Sequence, residues 1–231
     1  MSNGLKSKHS HMSKSGTDNY QTVVTGFREI TPFVSLLTFK KKWSFLAGQV
    51  VGVAIGIGDN PRMYSLSGST DAEDGEIIFD VRPEGTLTPR LNNLRVGDKL
   101  LVSEPFGEFL GNSKPAWWIA TGTGIAPFAS MLRSGFGENK KLIHGGSFTS
   151  SFYFEDEFKA ALGNDYIRCC SKETGEGLFS GRVTKWLEEQ KDLPTDIMYY
   201  LCGKAEMVVD VRDLLIKRHV PYDNIQSEIF F

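Results

Sequence analysis

The stretch Ala116-Trp117-Trp118-Ile119-Ala120-Thr121-Gly122-Thr123-Gly124-Ile125-Ala126-Pro127 decides the fold. Its first half is an apolar run of strand length, and its second half turns through two glycines into residues at helical spacing. PFASMLRSG continues from Pro127 as a helix predicted to stop at Gly135. A strand that passes through glycine into a helix opens a βα unit. Downstream, KLIHGGS, YIRCCSKE and IMYYLCG read as strands. FYFEDEFKAAL, GRVTKWLEEQ and AEMVVDVRDLLIKRH read as helices between and after them, and DNIQSEIFF closes the chain. That alternation predicts a mostly parallel sheet covered by helices.

Upstream the pattern differs. TVVTGFREI, FVSLLTFK, VVGVAIGI, EIIFDVRP and DKLLVSEP are short apolar or alternating runs separated by Gly, Asn, Asp and Pro. They predict an antiparallel β-barrel or sandwich, with one helical turn at TPRLNNL. The change of character falls at Gly111-Asn112-Ser113-Lys114-Pro115. The expected organisation is therefore a flexible tail over residues 1–18, a β-barrel over 19–111 and an α/β domain over 114–231.

Composition narrows the function. The chain has 231 residues, 40% hydrophobic and 23% charged, with a formal net charge of −2. No bulk field attracts nucleic acid, and no apolar run is long enough for stable membrane association. Three cysteines, Cys169, Cys170 and Cys202, form no C-x-x-C pair, so neither a disulfide framework nor a cysteine-ligated metal is expected. A cytoplasmic monomer without a metal fits best. The first twenty residues lack the apolar core of a secretory signal. His9 and His11 in the tail are read as ordinary tail residues.

Particular residues then suggest chemistry. Gly122 and Gly124 before a helix start suit a phosphate, although Pro127 breaks G-x-G-x-x-G; taken alone, the turn fits an unliganded connection equally well. Ser171 and Lys172 follow a strand, and Arg182 opens a helix, so a hydroxyl and two cations stand where open α/β sheets bind ligands. Solvated charges are the plainer alternative. In the barrel, Arg62-Met63-Tyr64-Ser65 does not read as an ordinary strand. Together with Arg82-Pro83-Glu84-Gly85-Thr86-Leu87-Thr88-Pro89 it offers a cation and a turn for a diphosphate, and a ring for a planar ligand. Cys202 ends a strand and is expected to point into the ligand crevice. Lys40-Lys41-Lys42 offers a docking surface for an acidic protein or a solvated turn.

Ala47-Gly48-Gln49, then R-M-Y-S, G-T-L-T-P, G-T-G-I-A-P, L-C-G-x-x-x-M and a final E-I-F-F occur in this order. From about residue 20 to 231 the chain resembles the ferredoxin–NADP reductase family, most closely its bacterial ferredoxin/flavodoxin reductases. The resemblance implies an FAD-binding barrel and a Rossmann-like NADP-binding domain. It implies FAD contacts from Arg62, Met63, Tyr64, Ser65, the backbone around Ile78, Phe79 and Asp80, Thr86, Leu87, Thr88 and Thr123. Phe230 would cover the second flavin face, and Phe231 would lie on the adenine part.

For NADP the resemblance implies Gly122, Gly124, Ser147, Ser171, Lys172, Arg182 and Cys202, with Ser65, Cys202 and Glu228 around the hydride-transfer site. Relatives commonly carry Arg where Ser147 stands and Arg where Lys172 stands, which weakens the NADP reading. The implied partner is ferredoxin or flavodoxin. An NAD(P)H reductase feeding an oxygenase, and a non-catalytic flavin- or nucleotide-binding module, are the rival readings.

Overall fold

The computed structural model describes residues 19–230, Phe230 by its backbone alone. The expectations for residues 1–18, for Phe231 and for the Phe230 side chain lie outside the described residues. The first sheet holds β1 (Tyr20–Thr31), β2 (Val34–Lys40), β3 (Val50–Ala54), β4 (Arg62–Ser65), β5 (Asp74–Asp80) and β6 (Lys99–Val102), in the order β4-β3-β6-β1-β2-β5. Its pairings are antiparallel. A bridge from Leu66 to Ile77 brings the two edges together and curls the sheet into a barrel. Alternating side chains meet inside, among them Leu37, Phe39, Val51, Val53, Ile77 and Leu100. The short helix α1 (Thr88–Asn92) adds buried Leu91 to that core.

Arg62–Ser65 is thus a strand after all, paired with β3 on one side, with Val51 opposite Tyr64. Its odd composition belongs to an edge, where a charged side chain remains in water.

The second sheet holds β7 (Ala116–Thr121), β8 (Lys140–Gly146), β9 (Tyr166–Cys170), β10 (Leu178–Ser180), β11 (Met198–Lys204) and β12 (Ile225–Phe230). All pairings are parallel, in the order β10-β9-β8-β7-β11-β12. The helices α2 (Ala126–Met131), α3 (Glu155–Leu162), α4 (Val183–Glu189) and α5 (Ala205–Lys217) connect strands. The β10 strand was missed because only three residues, between glycines, carry it.

Two helix boundaries differ from expectation. Phe152, Tyr153 and Phe154 precede α3, and Phe154 adopts a left-handed φ of 61°. Phe152 and Tyr153 are buried, Tyr153 in a cluster with Val34 and Ile78 of the barrel, so aromatic burial overrides the helical pattern here. The predicted stop at Gly135 is instead part of a wider π turn, Leu132–Phe136, with Gly135 at φ 87°.

The two halves share one apolar cluster. Val34, Ala47, Ile78 and Phe109 meet Trp118, Phe128, Met131 and Tyr153 across the junction. Gly48 helps this approach: at φ 103°, a Cβ there would stand 2.8 Å from the Met131 methyl across the junction and 2.0 Å from the Phe109 carbonyl oxygen within the barrel.

Candidate functional site

Parallel pairing of β11 with β12 sets Cys202 beside Glu228. The end of β4 delivers Ser65 to the same place. The Ser65 hydroxyl donates to Glu228 Oε2 at 2.8 Å, and Cys202 Sγ lies 4.0 Å from that oxygen. Ser65 and Cys202 are buried. Burial raises the Glu228 pKa, and the Ser65 hydrogen bond partly offsets it by favouring the carboxylate. The Cys202 thiol is pushed up by burial and then by Glu228, so it stays protonated. Cys202 is fully buried, as a residue central to a parallel sheet must be.

Beside this group, Tyr64 rests edge-on against Phe79, with ring centroids 6.3 Å apart. Burial pushes its hydroxyl up to about 12, against the lowering pull of the Arg62 and Arg82 cations. Both arginines are exposed. Neither joins an ion pair among the described residues. Asp80, at the end of β5, accepts a hydrogen bond from the Thr123 hydroxyl at 3.2 Å and so spans the two sheets. Desolvation raises its pKa, while Thr123, Arg82 and Lys204 pull it back. The sequence motifs did not single out Arg82 or Lys204 as site residues; Arg82 opens the stretch quoted above, two residues past β5, and Lys204 ends β11.

Other barrel residues contribute less of their side chains than their motifs suggest. Met63 alternates away from Tyr64 and is 62% exposed. Ile78, Phe79 and Leu87 are buried, which leaves backbone to offer. The Thr88 hydroxyl accepts the Arg82 N–H at 2.9 Å, closing its own loop, while Thr86 remains exposed.

The two glycines of the β7–α2 turn do different work. At Gly122, φ is +58° and no atom lies within 4 Å of where a Cβ would stand, so the turn faces open space there. At Gly124 a Cβ would meet the Cys202 carbonyl oxygen at 2.4 Å. Gly124 therefore lets the turn pack closely on β11. Pro127 sits in the first helical turn, where its missing N–H costs nothing.

Ser147, Ser171, Lys172 and Arg182 gather at one corner. The N–H groups of Ser171 and Lys172 donate to Gly146 and Ser147 carbonyls at 3.0 Å, and the Gly181 N–H donates to the Cys170 carbonyl at 2.8 Å. The Lys172 ammonium lies over Phe148, 5.2 Å from the ring centre. Arg182 lies 3.6 Å from Glu206, both well exposed, so the pair holds it weakly. Sequence reading missed Phe148 and Glu206 because neither falls in a motif.

Lys40-Lys41-Lys42 is tied to its own barrel. Lys40 pairs with Glu73 and Asp74, Lys41 donates to the Thr70 carbonyl, and Lys42 lies over Tyr20. No metal-holding cluster of His, Cys, Asp and Glu occurs among the described residues, and none of their helices is long and apolar enough to cross a membrane.

The cleft thus offers an aromatic face, two exposed cations, open room at a glycine turn and a half-buried protonatable carboxyl. These groups fit a planar ring carrying a diphosphate, and a dinucleotide opposite it.

Residues 118–213 match the oxidoreductase NAD-binding domain family. Ferredoxin–NADP reductase B of Sorangium cellulosum is 30% identical over 223 residues, covering 84% of this chain and 90% of the relative. Flavodoxin/ferredoxin–NADP reductase of Escherichia coli is 30% identical over 194 residues, covering 73% and 77%. The toluate 1,2-dioxygenase electron transfer component of Pseudomonas putida is 28% identical over 238 residues, covering 96% and 70%. A crystal structure of a ferredoxin NADP+ reductase from Neisseria gonorrhoeae with bound FAD and NADP shares the fold, with TM-score 0.81, 22% identity, and 92% and 99% coverage.

Proposed function

The chain belongs to the ferredoxin–NADP reductase family of FAD-dependent, NAD(P)-binding oxidoreductases, and we propose that it moves electrons between NADP(H) and a one-electron carrier protein, ferredoxin or flavodoxin. The observation that carries this reading is the Ser65–Glu228–Cys202 group, assembled from both sheets beside Tyr64. When bound, FAD supplies the chemistry, accepting the two electrons of a hydride and releasing them singly.

The chain's own residues bind and align. Arg62, with Arg82, Thr86 and the backbone of Leu87 and Thr88, holds the flavin diphosphate. Tyr64 gives the ring a face, and backbone at Ile78, Phe79 and Asp80 meets its edge. The open turn at Gly122, with Thr123, receives the pyridine dinucleotide. Ser171, Lys172 and Arg182 take the 2′-phosphate, with Ser147 supplying backbone. Phe230 shields the ring. Glu228 holds a proton near the transfer site, and Ser65 orients its carboxyl.

A second reading, a reductase that feeds an oxygenase, is favoured by the likeness to the toluate dioxygenase component over nearly the whole chain. The half-buried carboxyl held by a serine from the other sheet, with a thiol beside it, speaks against a mere binding module. The test compares reduction of ferredoxin, flavodoxin and a dye by NADPH and by NADH. Fast carrier reduction with NADPH is expected. Dye reduction with neither carrier reduced would move the assignment to the second reading.

A further inference from the structure

Arg133 lies outside every motif used above, yet it binds both halves of the molecule. It sits in the π turn that ends α2. Its Nη1 donates to the Ser67 carbonyl at 2.9 Å and to Glu76 Oε1 at 2.6 Å, both in the barrel. Its Nε and Nη2 grip Glu157 of α3 as a fork, at 2.7 and 2.6 Å. The guanidinium also lies over Phe154, 4.6 Å from the ring centre. Ser67 donates to the same Glu76 oxygen at 2.8 Å, and the neighbouring Ser134 hydroxyl accepts the Thr70 N–H at 3.0 Å.

The side chains of Arg133 and Glu76 are only 20% and 19% exposed, so this is no ordinary surface pair. Burying that charge is costly unless every partner is kept, and here the fork, the second carboxylate and a carbonyl are all present. Arg133 and Ser134 both lie in the π turn, so one turn of chain carries two links to the barrel.

What Arg133 connects is specific. Its barrel contact, Ser67, lies two residues beyond Ser65. At the other end of α2, about 12 Å from Arg133 by helical rise, lies the turn Gly122–Ile125. We propose that Arg133 is a positioning residue: it locks the barrel to the α/β half at the angle that sets the dinucleotide turn opposite Tyr64 and Ser65. This rests on the proposed function, because the angle matters only if a nicotinamide must meet a flavin there. Hydride transfer is steeply sensitive to such alignment, and an ångström of misplacement costs up to about a hundredfold.

The test uses the FAD-loaded protein and the variants Arg133→Ala, Arg133→Lys and Glu157→Gln. Hydrogen–deuterium exchange is followed at residues 66–70 and 122–131 with no nucleotide added. Flavin reduction is then measured anaerobically at saturating NADPH, with flavin content and NADPH affinity determined alongside. In Arg133→Ala, exchange in both segments is expected to rise together and reduction to slow by about tenfold or more, while flavin content and NADPH affinity hold within about twofold. Arg133→Lys falls between, since an ammonium lacks the fork.

Faster exchange with an unchanged reduction rate reduces Arg133 to a structural brace and overturns the proposal, as does unchanged exchange. If Arg133→Ala fails to fold, Glu157→Gln, which weakens only the fork, decides by the same criteria. A wild-type flavin that neither NADPH nor NADH reduces removes the functional reading itself, whereas a reducible wild type with an equally fast variant removes this inference alone.

Discussion

Glu228 meets a hydroxyl from the barrel and a thiol from its own sheet, and only the hydroxyl donates to it closely enough to favour its charge. Burial raises the carboxyl above the usual range, so the group titrates nearer neutrality than an exposed glutamate. Ser65→Ala removes the one contact that lowers it. The pH dependence of flavin reduction should therefore shift to higher pH in Ser65→Ala and lose that limb in Glu228→Gln; an identical profile in all three proteins contradicts Glu228's role. At the far corner, Lys172→Ala with Arg182→Ala should weaken NADPH by ~1.5–3 kcal/mol per lost charged contact and leave NADH nearly unchanged. Titration with both cofactors checks it, and equal losses would remove the 2′-phosphate assignment. These residues were legible because each sits in a short motif with its own chemistry. Arg82, Lys204 and Phe148 were not, since nothing local in the chain marks a side chain whose neighbours arrive from another strand.

Among the elements, β8 carries a buried liability. His144 is fully buried, its Nδ1 3.0 Å from the Tyr166 hydroxyl and its Nε2 without a partner among the described residues. Burial alone lowers its pKa from 6.5 to about 3. The folded protein then keeps His144 neutral while the unfolded chain takes up a proton below about pH 6.5. Stability is unaffected at neutral pH and falls by about 1.4 kcal/mol per pH unit from there toward pH 3. Unfolding free energies from urea titrations at pH 7 and pH 4.5 should differ by about 2–3 kcal/mol more in the wild type than in His144→Gln; equal differences contradict it.

At β12 the backbone register places Phe230 opposite Lys204, at the strand ends beside the cleft. Removing Phe230 and Phe231 should raise nicotinamide occupancy over the flavin and increase charge-transfer absorbance; unchanged spectra would end their shielding role. Elements were legible where periodicity and glycine turns acted alone, as in β7 and α5. They were misjudged where burial overrode periodicity, as at Phe152–Phe154, and where an edge shortened the signal, as at β10.

On the scale of the whole molecule, the two sheets form one working cleft because an apolar cluster, the Thr123–Asp80 bond and the Arg133 fork all cross the junction. The order of motifs foretold that both halves would be present. The angle between them was not legible, because it is set by side chains such as Arg133 and Tyr153 whose partners lie far away in sequence. The central claim is that this junction holds a flavin at Tyr64 within reach of a nicotinamide. Anaerobic titration of the FAD-loaded protein with NADPH, followed by visible absorbance, tests it most directly. The account predicts bleaching of the flavin band with one equivalent of NADPH per FAD. A protein that takes up no FAD, or whose bound flavin keeps its full oxidised spectrum in excess NADPH and NADH, would contradict it.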